Sequence, residues 1–155
     1  MKRVSRFKGI VSTPAIRHPQ NAGVIALLKS KAVLKSKGGC SSPWDIDEYE
    51  LHTHPDLRKK LQEIAGNGLA EYECAVYGYP VLANRTGIIF AVARGVAVLD
   101  FRLPADMRLE VLRGGGKINK EYGDDWVTVD PWRKGRNRFT EWCLAARRHA
   151  ERISR

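Results

Sequence analysis

Residues 74–103, CAVYGYPVLANRTGIIFAVARGVAVLDFRL, hold three apolar runs with only short glycine-containing breaks between them. Short apolar runs rich in Val, Ile and Phe and bounded by Gly or Asn suit strands better than helices, so the block predicts a three-strand meander. The first run, 73–83, contains Gly78 and Pro80. A proline cannot donate to the ladder, which places this strand at an edge or a bulge. After a turn at 84–87, Ile88, Ile89, Phe90, Ala91, Val92 and Ala93 are apolar on both faces, the pattern of a central strand. Arg94-Gly95 makes the next turn. Beyond it Ala97, Leu99, Phe101 and Leu103 alternate with Val98, Asp100 and Arg102, predicting one buried face and one that meets water or a partner. On that second face Asp100 and Arg102 are expected either as a solvated pair or as part of a site.

The flanking segments read as helices and one more strand. Pro104 and Asp106 open a short helix carrying Met107, Val111 and Leu112, which Gly114, Gly115 and Gly116 end. These glycines follow a helix, whereas a phosphate-binding loop needs them ahead of one. WVTVD at 126–130 is a strand stopped by Pro131, and in the closing helix Phe139, Trp142, Cys143, Ala146, Ala150 and Ile153 share one stripe. Upstream, Thr53 and Pro55 signal the start of a helix over 54–65, with Leu57, Leu61 and Ile64 on one face and Gly66 as its stop. Val24, Leu27, Leu28 and Leu34 recur near helical spacing over 23–37, among lysines, predicting a basic amphipathic helix. The turn-rich GGCSSPWD separates an extension, residues 1–44, from a single domain, 45–155. The fold class that follows is α+β: an antiparallel sheet of four or more strands with helices packed on one face, a two-layer sandwich.

The hairpin GIIFAVARGVAVLDFRLP, the helix ending in glycine, the WVTVD strand and the closing helix together resemble the YjbR-like group of small proteins, whose fold is similar to that of the CyaY family. The resemblance covers the second half of the chain. It implies an α+β fold, and it implies DNA binding only as a suggestion made for that group from fold shape; it transfers no activity.

The net charge of +10 is unevenly spread. Residues 1–44 carry nine basic residues and no acidic one, while the remainder is close to neutral. Lys29, Lys31, Lys35 and Lys37 in the extension, and Arg133, Lys134, Arg136, Arg138, Arg147 and Arg148 near the end, are the candidate contacts to nucleic acid or an acidic protein. The competing reading is a solvated helix face, and no zinc-finger, recognition-helix or RNA-binding motif is present.

His52 and His54 in ELHTHPD lie at i and i+2, which on an extended segment presents two imidazoles to one metal ion. The competing reading of His54-Pro55 is an ordinary helix entry. Tyr77, Tyr79, Trp126 and Trp132 are candidates to line a pocket. His149 reads as a satisfied packing residue. Cys40, Cys74 and Cys143 have neither disulfide parity nor metal spacing and read as inert. No catalytic residue and no cofactor is indicated. No run is long and apolar enough to span a membrane, and the basic amino terminus lacks the apolar core of a secretory signal, so a cytoplasmic protein is expected. The functional expectation is a non-enzymatic binding module. Its alternatives are a metal-dependent enzyme centred on His52 and His54, and partner binding through the sheet edge.

Overall fold

A computed structural model of the chain describes residues 18–36, 53–66, 72–76, 79–133 and 138–154. A 3-10 turn, Pro19–Asn21, leads into helix α1 (Ala22–Ser36), and α2 (Pro55–Ala65) follows. Next come strands β1 (Tyr72–Val76), β2 (Tyr79–Ala83), β3 (Ile89–Arg94) and β4 (Val98–Arg102), then α3 (Ala105–Arg113), β5 (Lys117–Ile118), β6 (Trp126–Val129) and α4 (Phe139–Ile153). The six strands form one antiparallel sheet in the order β1-β2-β3-β4-β6-β5. This is the α+β class the sequence predicts.

The meander has four strands, not three. The run read as a single kinked strand over 73–83 is a hairpin in which Val76 stands opposite Tyr79, with Tyr77 and Gly78 between the paired ends in sequence. A two-residue separation is the commonest hairpin spacing. The edge is β1, while β2 is internal and buried along its whole length. Pro80 is tolerated there because pairing to β3 begins only at Val81. Between Leu82 and Ala83 the register shifts, so Leu82 opposes Ala91 and Ala83 opposes Ile89, leaving Phe90 as an extra residue. This bulge lets Phe90 and Ala91 both join the same core.

On one face of the sheet Leu82, Phe90, Leu99, Phe101 and Val127 meet α2, α3 and α4. Leu57, Leu61 and Ile64 of α2 are buried as their spacing predicts, and so are Trp142, Cys143, Ala146 and Ala150 of α4. Burial pushes the Cys143 thiol up to about 12, so it is a packing residue with no thiolate to react. Leu112, counted with the apolar face of α3, is exposed instead. The cap of α2 is His54, whose Nδ1 accepts from the Asp56 N–H at 3.0 Å. Thr53 instead bridges to Gly95 and donates its hydroxyl to the Ala93 carbonyl at 3.1 Å. Gly95 turns β3 into β4 with φ 62°, a left-handed conformation that an L side chain seldom adopts.

The second face is covered by the helix of the extension. Val24 and Leu28 of α1 pack on Val81, Ile89, Val92, Tyr122 and Trp126. Leu34's side chain lies outside the described residues. The entry to α1 is pinned to the start of β3: buried Asn21 donates to the Gly87 carbonyl and accepts from the Ile89 N–H, both at 2.8 Å. At Gly23 the helix backbone comes so near the Tyr122 carbonyl oxygen that a Cβ would lie 2.6 Å from it.

Candidate functional site

The polar face of β4 neither meets water nor forms an Asp100–Arg102 pair. Asp100 is fully buried and accepts from Arg94 in a two-pronged contact, Nε at 2.8 Å and Nη2 at 3.1 Å. Its carboxylate also accepts from the hydroxyls of Thr128 at 2.6 Å and Tyr122 at 3.0 Å, with the Asn119 amide at 3.4 Å. A buried carboxylate is tolerable when its lone pairs are taken up by donors in this way. Burial alone works against the Arg94 charge, but Asp100 outweighs it and raises the guanidinium's pKa. Burial, then the charge of Asp100, pushes the Tyr122 phenol well above its usual range. Tyr122 therefore serves as a hydrogen-bond donor.

Arg102 forms a second cluster. Its Nε donates to Asp125 at 3.0 Å and its Nη2 to the Gln20 carbonyl at 2.9 Å, while its guanidinium carbon lies 5.5 Å from the Trp126 ring centre. Asp125 also meets His149 Nε2 at 3.0 Å. His149, expected only to pack, thus ties α4 to the strand ends and through Arg102 to the entry of α1. Burial opposes ionisation of Asp125, but hydrogen bonding and charge from His149 and Arg102 hold its carboxyl below the ordinary range.

The two predicted basic sets lie on opposite faces of the sheet. Lys29 is exposed and Lys31 half-buried on α1, whereas Arg147 and Arg148 belong to α4 on the opposite face of the sheet. The side chain of Lys35 and all of Lys37, Lys134 and Arg136 lie outside the described residues. Arg138 is engaged by Glu110 and Glu141, and Arg147 lies 3.8 Å from Glu151. Arg148 is exposed, and Arg133 rests its guanidinium on the Gly115 carbonyl at 3.5 Å.

The histidine pair and the aromatic pocket fare differently from expectation. His54 spends Nδ1 on the helix cap, His52 lies outside the described residues, and among the described residues no three His, Cys, Asp or Glu side chains gather. Tyr79 and Trp126 are buried in the core under α1, and Trp126 packs edge-on against Tyr122 at 4.9 Å. Tyr77 lies outside the described residues. Trp132 is remote from both: it stands 48% exposed beside the β3–β4 turn. Of the three described aromatics, Trp132 does not share a pocket with Tyr79 and Trp126.

The surface has two neighbouring clefts at the β3–β4 turn. One, of about 260 Å³, is lined by Gly115, Lys117, Thr128, Arg133 and Trp142. The glycine triplet, read only as a helix stop, is also what lets Arg133 lie flat there, because a Cβ on Gly115 would meet its Nη1 at 2.4 Å. The other, of about 490 Å³, is a shallow depression walled by His54, Asp56, Val96, Ala97 and Trp132. Ala97 borders both. At the far side of the sheet β1 is an edge strand with no outer strand partner among the described residues. No helix among the described residues is long and apolar enough to cross a membrane. No family model, no curated protein and no solved structure matches the chain.

Proposed function

We propose that the chain is a non-enzymatic binding module that contacts nucleic acid through basic surface. The observation that carries this reading is α1. It has three lysines and no acidic residue, and its Val24 and Leu28 are buried against the sheet while Lys29 is exposed. Unneutralised charge on an ordered helix is what phosphate contacts require. The equivalent surface on α4 is weaker, because Glu110, Glu141 and Glu151 sit against Arg138 and Arg147. The resemblance of the second half to YjbR-like proteins supports the same reading by analogy alone.

Fluorescence anisotropy with labelled DNA across a salt series tests it. The expected result is binding at about 50 mM salt whose log affinity falls linearly with log salt, and a slope reduced by about 2 in the double variant Lys29→Glu/Lys31→Glu. Absence of binding at low salt sinks the proposal. Unchanged affinity in the double variant would remove α1 as the contact face.

A further inference from the structure

We infer that Trp132 is a base-stacking platform for single-stranded nucleic acid, with Lys117, Arg133 and Lys60 supplying the contacts to its backbone; this rests on the nucleic-acid reading above and adds a site separate from α1.

Exposed tryptophan is costly surface, and this one is held by two hydrogen bonds. Its indole N–H donates to the Val96 carbonyl at 2.7 Å, and its backbone N–H donates to the Asp130 carboxylate at 2.9 Å. The ring's one polar atom is therefore already satisfied, and with the Lys60 ammonium over the ring, what remains for a partner is the exposed part of its π surface. A ligand meeting it loses little side-chain entropy. Val96, 65% exposed, extends the apolar floor of the same depression. Such a floor suits the flat face of a base or an apolar side chain equally well.

Charge decides between them. Lys60 holds its ammonium 5.7 Å from the centre of the Trp132 ring. Lys117 and Arg133 line the adjoining cleft, which Ala97 joins to the depression. Arg133 follows Trp132 directly in sequence. Asp56 lines the depression and Asp130 the adjoining cleft, two negative charges against the three positive ones of Lys60, Lys117 and Arg133. An aromatic face bordered by cations is the arrangement that holds an unpaired strand, bases on the ring and phosphates on the charges. A duplex hides its base faces and cannot use it.

The test compares labelled oligo(dT) with a duplex of the same length by anisotropy, using the full chain. Wild type is expected to bind the single strand more tightly. Trp132→Ala should weaken that binding about 5- to 150-fold per stacked base with its salt slope unchanged, while Trp132→Phe keeps most of it. Lys117→Glu/Arg133→Glu should flatten the salt slope. Thermal unfolding of Trp132→Ala by circular dichroism confirms that the variant is folded. Equal binding of duplex and single strand, or wild-type affinity in Trp132→Ala, overturns the platform. If Lys29→Glu/Lys31→Glu weakens binding while Trp132→Ala does not, the platform alone falls; if wild type binds no DNA at low salt, both readings fall. Displacement of the oligonucleotide by polyglutamate from wild type and Trp132→Ala alike would replace the strand with an acidic protein partner and overturn it too.

Discussion

Replacing Asp100 with Asn keeps the shape of the side chain and removes its charge at the most interior ionic position described. Asp100 is 0% exposed and the Arg94 side chain 16%, so water cannot take over the contact that is lost. The guanidinium would remain desolvated without its counter-charge. One carboxylate oxygen would also become an amide N–H₂ facing donors, since Tyr122, Thr128 and Arg94 all donate toward this carboxylate. Breaking a buried pair by altering one partner costs about 3–5 kcal/mol, a large part of the roughly 5–15 kcal/mol that keeps a domain folded. For a chain of this size that corresponds to a fall in Tm of roughly 6–20 °C. Urea unfolding followed by tryptophan fluorescence is the assay, with Arg94→Met/Asp100→Leu as comparison. Removing both charges leaves no orphaned ion, so the double variant is expected to be more stable than Asp100→Asn, though below wild type because Tyr122, Asn119 and Thr128 lose their acceptor. A cost below about 1 kcal/mol for Asp100→Asn, or a double variant no better than the single one, would refute the claim that buried charge pairing holds this face together.

Two further perturbations probe how the extension and the loop ahead of β6 are attached. Gly23→Ala should destabilise by about 1–3 kcal/mol in the same assay, because its Cβ would lie 2.6 Å from the Tyr122 carbonyl oxygen and force α1 away from the sheet. In an uncrowded helix the change would instead gain about 1 kcal/mol, so stabilisation would disprove the close approach. Asp125 titrates below its ordinary value of 3.8 in the folded chain. Its contribution is therefore complete above the unfolded value and lost as pH falls through the folded one, so stability should drop below about pH 4. Asp125→Asn should be less stable at neutral pH and show a shallower acid-side fall; an unchanged pH profile would count against the Arg102–Asp125–His149 cluster.

Most of the fold was legible because the signals that specify it are local. Alternation along β4 marked Leu99 and Phe101 as core, and all of Leu57, Leu61 and Ile64 are buried as their i, i+4, i+7 spacing requires. The hairpin of β1 and β2 was missed because Gly78 and Pro80 are equally consistent with a kink in one strand and with a turn next to a strand that begins before its second partner does. His54 took the cap from Thr53 because Thr53 is drawn into a bridge with Gly95, a contact 42 positions away that no local pattern reports.

Local pattern alone therefore suffices for the class, for the helices and most of the strands, and for the apolar stripes that bury α2 and α4, since periodicity is a property of neighbours in the chain. The tertiary structure alone decided what the polar residues do. Asp100 and Arg102, read from alternation as facing outward, are buried because α1 and the 119–125 loop close over that face, the loop bringing donors from Asn119 and Tyr122 while the neighbouring strand β6 brings Thr128. The basic residues of α1 and those of α4 lie on two faces of the sheet, and Trp132 was separated from the aromatics it was grouped with. A charge or an aromatic ring can be satisfied by any group that the fold carries to it, so its partner is settled by contacts distant in sequence, whereas an apolar stripe needs only to face inward.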